Sequence, residues 1–316
     1  MQRALLMYAV LALLPATARA LDHVVSPFGA DGGAGTLSSP WRTLGYAVSQ
    51  ASPGDRILLM DDGAPGTDDY KETVTVPPAL GDLTIQRFDA DGTPPRFRPD
   101  MANQPVLVIQ AAGVTVSGLD LHGATEAAAI RFEETSAGGR VTGCRLPCPG
   151  CDGVKIGVEL RGGAGHLVSG CEFPGNYTGI GVGLPPSLSL GAGHRIEANV
   201  FSGNAEGVRI GVAADLVVEG NSFQGCGASV WMENGNKTLI AQNVISGGQI
   251  QIWGTENHFS GNTVSVPENE AVLYLSGTWH AVEDNQLSGG AQGLVAISLS
   301  ASVIRGNTFT GAQGQG

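Results

Sequence analysis

From Val114 onward one short pattern recurs nine times: an apolar pair, a small or polar residue, then Asn or Cys, any residue, and an apolar residue. The copies read VTVSGLDL, RVTGCRL, LVSGCEF, RIEANVF, LVVEGNSF, LIAQNVI, HFSGNTV, AVEDNQL and VIRGNTF. Their marker residues are Leu119, Cys144, Cys171, Asn199, Asn221, Asn243, Asn262, Asn285 and Asn307, spaced by 25, 27, 28, 22, 22, 19, 23 and 22 residues. A unit this small cannot bury an apolar face alone, so the copies must stack. Between markers, apolar and other residues alternate in short runs broken by Gly, which is the period of strands and turns. A leucine-rich repeat has a similar period, but its fixed Leu positions are not filled. The expected fold class is all-β, a parallel β-helix of nine or more turns with three short strands per turn and ~4.8 Å between turns. Stacking then sets each marker over the last, and Asn199, Asn221, Asn243, Asn262, Asn285 and Asn307 are expected to form an inward structural ladder of side-chain amides.

Composition narrows the partners. A formal charge of -12 argues against nucleic acid, because phosphate binding needs a basic face. It also opposes a polyanionic polysaccharide unless a local basic stripe or bridging Ca²⁺ offsets it. Residues 1–20 carry Arg3, an apolar run over Ala4–Leu14 and an Ala18-Arg19-Ala20 cleavage site, the form of a signal peptide. Its removal lowers the 17 basic residues to 15 against 29 acidic ones. That apolar run is too short to span a bilayer, so the expectation is a secreted or periplasmic protein without membrane insertion.

The segment VVSPFGADGGAGTLSSPWRTLGYAVSQASPGDRILL, followed by DDYKETVTV, resembles the opening module of many exported β-helix proteins. With it, nearly the whole mature chain resembles the right-handed parallel β-helix superfamily of pectate-lyase-like proteins. The resemblance implies one domain over residues 21–316, with the cap and first turns in 21–110 and the repeat turns in 111–316. Within the module, Leu44, Ala47, Val48 and Ala51 have helical spacing over Trp41–Ala51, and a helix there would cover the open end of the stack. The superfamily includes lyases, hydrolases, epimerases and non-enzymes, so the resemblance specifies architecture more than activity.

Cys144 and Cys171 share the marker position on consecutive turns, either as a disulfide or as two buried thiols. Cys148 and Cys151 flank a Pro-Gly turn able to close a tight bridge, and Cys226 is the odd one. His166 and His194 follow Gly-Ala-Gly at equivalent points and read as turn residues. Asp61, Asp62, Asp68 and Asp69 cluster in a Gly-Pro loop and read as a solvated acidic loop, with a Ca²⁺ site as the alternative.

The strand after each marker can be phased by its apolar residues. Phasing turns Arg131, Lys155, Arg209, Trp231, Glu233, Gln251, Trp253 and Tyr274 outward, with a glycine dip at Gly181 and Gly183 between Lys155 and Arg209. On this reading one face carries cations at one end and aromatic rings at the other. A sugar chain advances about one residue per rung, so the face suits a polysaccharide, with Trp231, Glu233, Gln251, Trp253 and Tyr274 as the substrate-binding set. If the protein is an enzyme, β-elimination of an acidic polyuronide fits best, with Lys155 as base and Arg131 and Arg209 neutralising the carboxylate. Asp152 is the candidate Ca²⁺ ligand. One lyase family of this fold pairs Asp-Gly with a lysine base and further Ca²⁺-binding acids. Here Asp152-Gly153 stands closer to Lys155, and the next turn, EFPGNYTGIGV, lacks the acids. The paired Asp residues of β-helix polygalacturonases and the Asp-Pro-His-Asp motif of alginate epimerases are absent, and the Lys/Arg pair of alginate-lyase-like families falls on Gly235 and Trp253. The alternative expectation is a non-catalytic carbohydrate-binding or scaffold β-helix, with oligomerisation through an uncapped C-terminal turn.

Overall fold

The computed structural model describes residues 20–63, 69–90, 92–101, 103–122, 127–148, 155–186, 190–267 and 271–311. The expected signal peptide up to residue 19, and Asp68, Cys151 and Asp152, lie outside them. The chain winds into a parallel β-helix of about ten turns. One face is a 12-stranded sheet and a second an 11-stranded sheet. The third carries a 7-stranded and a 3-stranded sheet, joined through the bridges Asp120 to Arg145 to Glu172. Strands pair in parallel, each with its counterpart one turn away, as in the interior column Val168, Ile196, Val218, Ile240, Phe259 and Val282. All six are buried. Burial on every turn holds the register, because a one-residue slip would turn each of these side chains to solvent.

Two bends recur in every repeat turn, and each opens on a residue in the left-handed region. At the first, Gly118, Gly143, Gly170, Ala198, Gly220, Gln242, Gly261, Asp284 and Gly306 all have positive φ, and the next residue is the marker. From Asn199 onward the marker's side chain replaces the hydrogen bonds that the bent backbone cannot make. The Oδ1 of Asn262 accepts from the backbone N–H of Asn243 at 2.9 Å and from its Nδ2 at 3.0 Å. Asn243 Nδ2 also donates to Val218 O at 3.0 Å. The same pattern runs from Asn199 to Asn307. Cys144 and Cys171 begin the column as free, buried thiols and make no disulfide, whereas Cys148 is disulfide-bonded.

A second polar column lies five residues ahead of the first. The backbone N–H of Gly139 donates to His166 Nδ1, and that of His166 to His194 Nδ1. Further along, Thr238 donates to Asn257 Oδ1, Asn257 to His280 Nδ1, and His280 to Ser302 Oγ. His166 and His194 are thus buried turn residues whose acceptor nitrogens stay unprotonated. Burial, reinforced for His166 by the adjacent His194, pushes them down to about 3 and about 4.

Helix α1 (Leu44–Gln50) is shorter than the expected Trp41–Ala51, because Thr43 caps it by accepting from Tyr46 N. The Glu72 carboxylate takes the N–H groups of Leu44 and Gly45 at 3.0 and 2.8 Å. Its buried Leu44, Ala47 and Val48 close the first turn, while Gly35 and Trp41 pair with Val24 on the outer edge of strand Asp22–Val25. Among the described residues nothing comparable covers the last rung. Val303, Ile304 and Phe309 stay exposed there.

Replacing Asn243 by Ala strands the N–H of Asn221 and the carbonyl of Val218 in the core. At about 1–3 kcal/mol per unsatisfied group, the loss should reach several kcal/mol in urea unfolding, against well under 1 kcal/mol for a Ser at exposed Thr263. The histidine column gives a pH dependence of known sign. A histidine held neutral in the fold but free to protonate when unfolded leaves stability full above about pH 6.5. Below that, stability falls by up to about 1.4 kcal/mol per pH unit for each such histidine, levelling off only near the folded-state values. Urea midpoints should therefore drop steadily from neutrality to acid, and His194→Asn, which keeps the acceptor, should flatten the slope.

Candidate functional site

The outward column of the 11-stranded sheet is fixed by cross-strand register. It runs Val108, Arg131, Glu159, Gly181, Arg209, Trp231, Gln251, Tyr274 and Val295. Arg131, Arg209, Trp231, Gln251 and Tyr274 share this column, and Lys155 does not. Lys155 is 1% exposed, with Nζ donating to Pro147 O at 3.0 Å. Burial alone pushes its ammonium down to about 8. It braces the loop after Cys144 and faces no groove, which corrects its expected place as an outward base. Glu159 holds that place.

The reason is local. Ile156 pairs with Thr178 and Val158 with Ile180, and the intervening Gly157 interrupts the alternation. Its missing Cβ leaves room for the Phe173 ring, as Gly179 does for Phe201 and Gly207 for Phe223. These rings stack at 4.9 and 4.7 Å. Aligning the three tetrapeptides that start on these glycines (GVEL, GIGV and GVRI) puts Glu159, Gly181 and Arg209 in one column, a signal that apolar phasing passed over.

The expected glycine dip is also occupied. A Cβ at Gly181 would lie 2.6 Å from Leu184 Cδ1, and one at Gly183 would strike the carbonyl of Val212. Leu184 and Pro185 instead form the wall of a cleft of about 230 Å³. Arg131, Glu159, Tyr177 and Arg209 line it as well. Tyr177, Thr178 and Glu206 were not singled out by sequence, since they sit at the start of the strand, before the phased run.

Every guanidinium here is engaged. Arg131 Nε donates to Glu159 Oε2 at 2.6 Å, and Arg161 Nε to Glu159 Oε1 at 3.1 Å. Arg161 also lies 3.7 Å from Glu133. Arg209 reaches Glu206 Oε1 and Glu233 Oε1, each at 2.9 Å, and Glu206 accepts from Thr178 Oγ1 at 2.7 Å. Glu233 is exposed, in keeping with its expected outward position.

Beyond Arg209 the face turns aromatic. Trp231 and Tyr274 flank Gln251 on neighbouring rungs, and Trp253 projects outward at 39% exposure one position beyond the interior Ile252. Gln251 is 6% exposed, and its Nε2 finds no hydrogen-bond partner among the described residues. A buried amide donor without an acceptor costs about 1–3 kcal/mol, so Gln251 is a local cost to the stack beneath the aromatic strip.

Metal donors do not gather. Among the described residues no group of three or more His, Cys, Asp or Glu is placed to hold an ion. Asp69 is spent on the backbone N–H groups of Asp62 and Arg96. No helix of the described residues is long and apolar enough to cross a membrane.

No curated protein matches the chain in sequence. Solved structures match it in fold. The Dettilon tailspike protein (gp208) superposes with a TM-score of 0.67 at 16% identity, over 91% of this chain and 62% of the tailspike. The alginate lyase from Paenibacillus sp. str. FPU-7 gives 0.61 at 18% identity, over 84% of this chain and 96% of the lyase. Pectate lyase Pel9A gives 0.56 at 17% identity, over 91% and 79%. Such low identities show a shared fold and no more. Sequence goes one step further: residues 101–313 match the family described as "Periplasmic copper-binding protein (NosD)", and the chain belongs to that family.

Proposed function

We propose that this protein is exported to the periplasm and binds a polysaccharide along the outward column from Arg131 to Tyr274. The observation that carries the reading is the aromatic strip, in which Trp231 and Tyr274 share one outward column and Trp253 projects beside them. Rungs repeat at ~4.8 Å, close to the advance of one sugar along its chain, so successive sugars meet successive rungs. Aromatic rings offer flat apolar surface to sugar faces. The family's periplasmic description and the signal-like residues 1–20 support export. The alginate and pectate lyases among its structural neighbours support a polysaccharide as ligand.

Turnover finds less support. β-Elimination needs a base beside the sugar, and the lysine expected to supply it is enclosed. Copper, which the family description names, does not fit the described donors. His166 and His194 use Nδ1 to accept backbone N–H groups, and the Cys144 and Cys171 thiols lie against backbone carbonyls inside the core. Among the described residues no third His, Cys, Asp or Glu joins either pair.

Trp253→Ala should leave the melting temperature nearly unchanged and weaken glycan binding by about tenfold, measured by affinity electrophoresis or calorimetry. Binding that survives both Trp253→Ala and Tyr274→Ala would remove the face from the account. Incubation with pectate or alginate should release no ultraviolet-absorbing unsaturated uronide, and a sustained rise would establish lyase turnover instead.

A further inference from the structure

The geometry points to a neutral glycan, not a polyuronide, as the ligand of this cleft. The inference rests on the polysaccharide reading above and names its substrate class. At the cleft, three guanidinium groups (Arg131, Arg161 and Arg209) are interlocked with four carboxylates (Glu133, Glu159, Glu206 and Glu233). The face that looked cationic in sequence is therefore formally negative. Its one lysine from the sequence reading, Lys155, is buried away from it.

A uronate carboxylate entering here would meet guanidinium groups whose charge is already matched by protein carboxylates at 2.6–2.9 Å. Charge-assisted pairs of this length are among the stronger hydrogen bonds, and an anion held by the remaining N–H groups would lie beside the paired Glu and be repelled by it. The field of the whole chain, at -12, adds repulsion. A neutral sugar meets none of these costs. Its hydroxyl groups are both donor and acceptor, so one can accept from a guanidinium N–H that the ion pair leaves over while a neighbour donates to the adjacent carboxylate. The remaining contacts are apolar or uncharged: Tyr177, Leu184 and Pro185 at the cleft wall, and Trp231, Gln251 and Trp253 beyond it. Such a surface suits hexose or N-acetylhexosamine chains, whose apolar faces stack on rings and whose hydroxyls fill the polar positions.

The test compares neutral xylo-, cello-, manno- and chito-oligosaccharides with polygalacturonate and alginate oligosaccharides of equal length, at low and high salt. The full-length protein is compared with Glu233→Gln and Glu206→Gln. Glu233 is exposed, so its replacement tests charge without threatening the fold. The expected result is binding of at least one neutral series, nearly indifferent to salt, with the anionic series at least about tenfold weaker. In each Gln variant Arg209 loses one of its two carboxylate partners, and affinity for the anionic series should rise about tenfold or more and become salt-sensitive. Tighter, salt-dependent binding of the anionic series by the unmodified protein would overturn this inference and leave the polysaccharide reading standing. Failure of every series to bind would overturn that reading itself.

Discussion

From Cys171 onward the stack rests on the hydrogen bond from one turn's backbone N–H to the Asn side chain of the turn above. The bend at each marker needs a left-handed residue, which breaks the strand ladder and leaves an N–H and a carbonyl facing inward. The amide of the next Asn supplies an acceptor for the first and a donor for the second, and it passes the same arrangement upward. Because the bond is made once per turn, in one position and one orientation, it sets the register of all three faces together. The histidine and Asn column at the second bend does the same work. That lets loop lengths vary between turns, with marker spacings of 19 to 28 residues, without moving one rung relative to the next.

Register is also what makes a binding face. No single turn carries a site. Arg131, Glu159, Arg209, Trp231, Gln251 and Tyr274 come from segments more than 140 residues apart and meet only because each turn repeats the last. The stacked Phe173, Phe201 and Phe223 fix where the strand of each turn begins, and the glycines opposite them admit the rings. Substitution of an outward residue therefore changes the face without touching the stack, which is how one fold accommodates tailspikes, lyases and binding proteins.

The repeat, the strand period and the helical cap were legible in the sequence, since each depends on residue type at a fixed spacing. So were Arg131, Arg209, Trp231 and Tyr274 as outward groups, because apolar neighbours on both sides phase their strands. Lys155 was misplaced because its strand starts with an irregular step at Gly157, and a single-residue step inverts the alternation. The charge of the face was misread for a related reason. Sequence shows that Arg131 and Arg209 point outward, but Glu159 and Glu233 reach them from neighbouring turns and Glu206 from the start of Arg209's own strand, contacts that apolar phasing does not reveal. The glycine dip failed likewise, since Leu184 follows the glycines in sequence and folds back over them.

Cysteine trapping tests the stacking most directly. Trp231 and Gln251 sit side by side on adjacent rungs, whereas Arg209 and Gln251 are separated by a full rung. Neighbouring rungs at ~4.8 Å fall inside disulfide range and next-nearest rungs at ~9.6 Å fall outside it. Under mild oxidation, a chain with Cys at 231 and 251 should close an intramolecular disulfide rapidly, and one with Cys at 209 and 251 should remain reduced. Equal closure of both pairs, or closure of the second alone, would contradict the register on which the fold and its binding face depend.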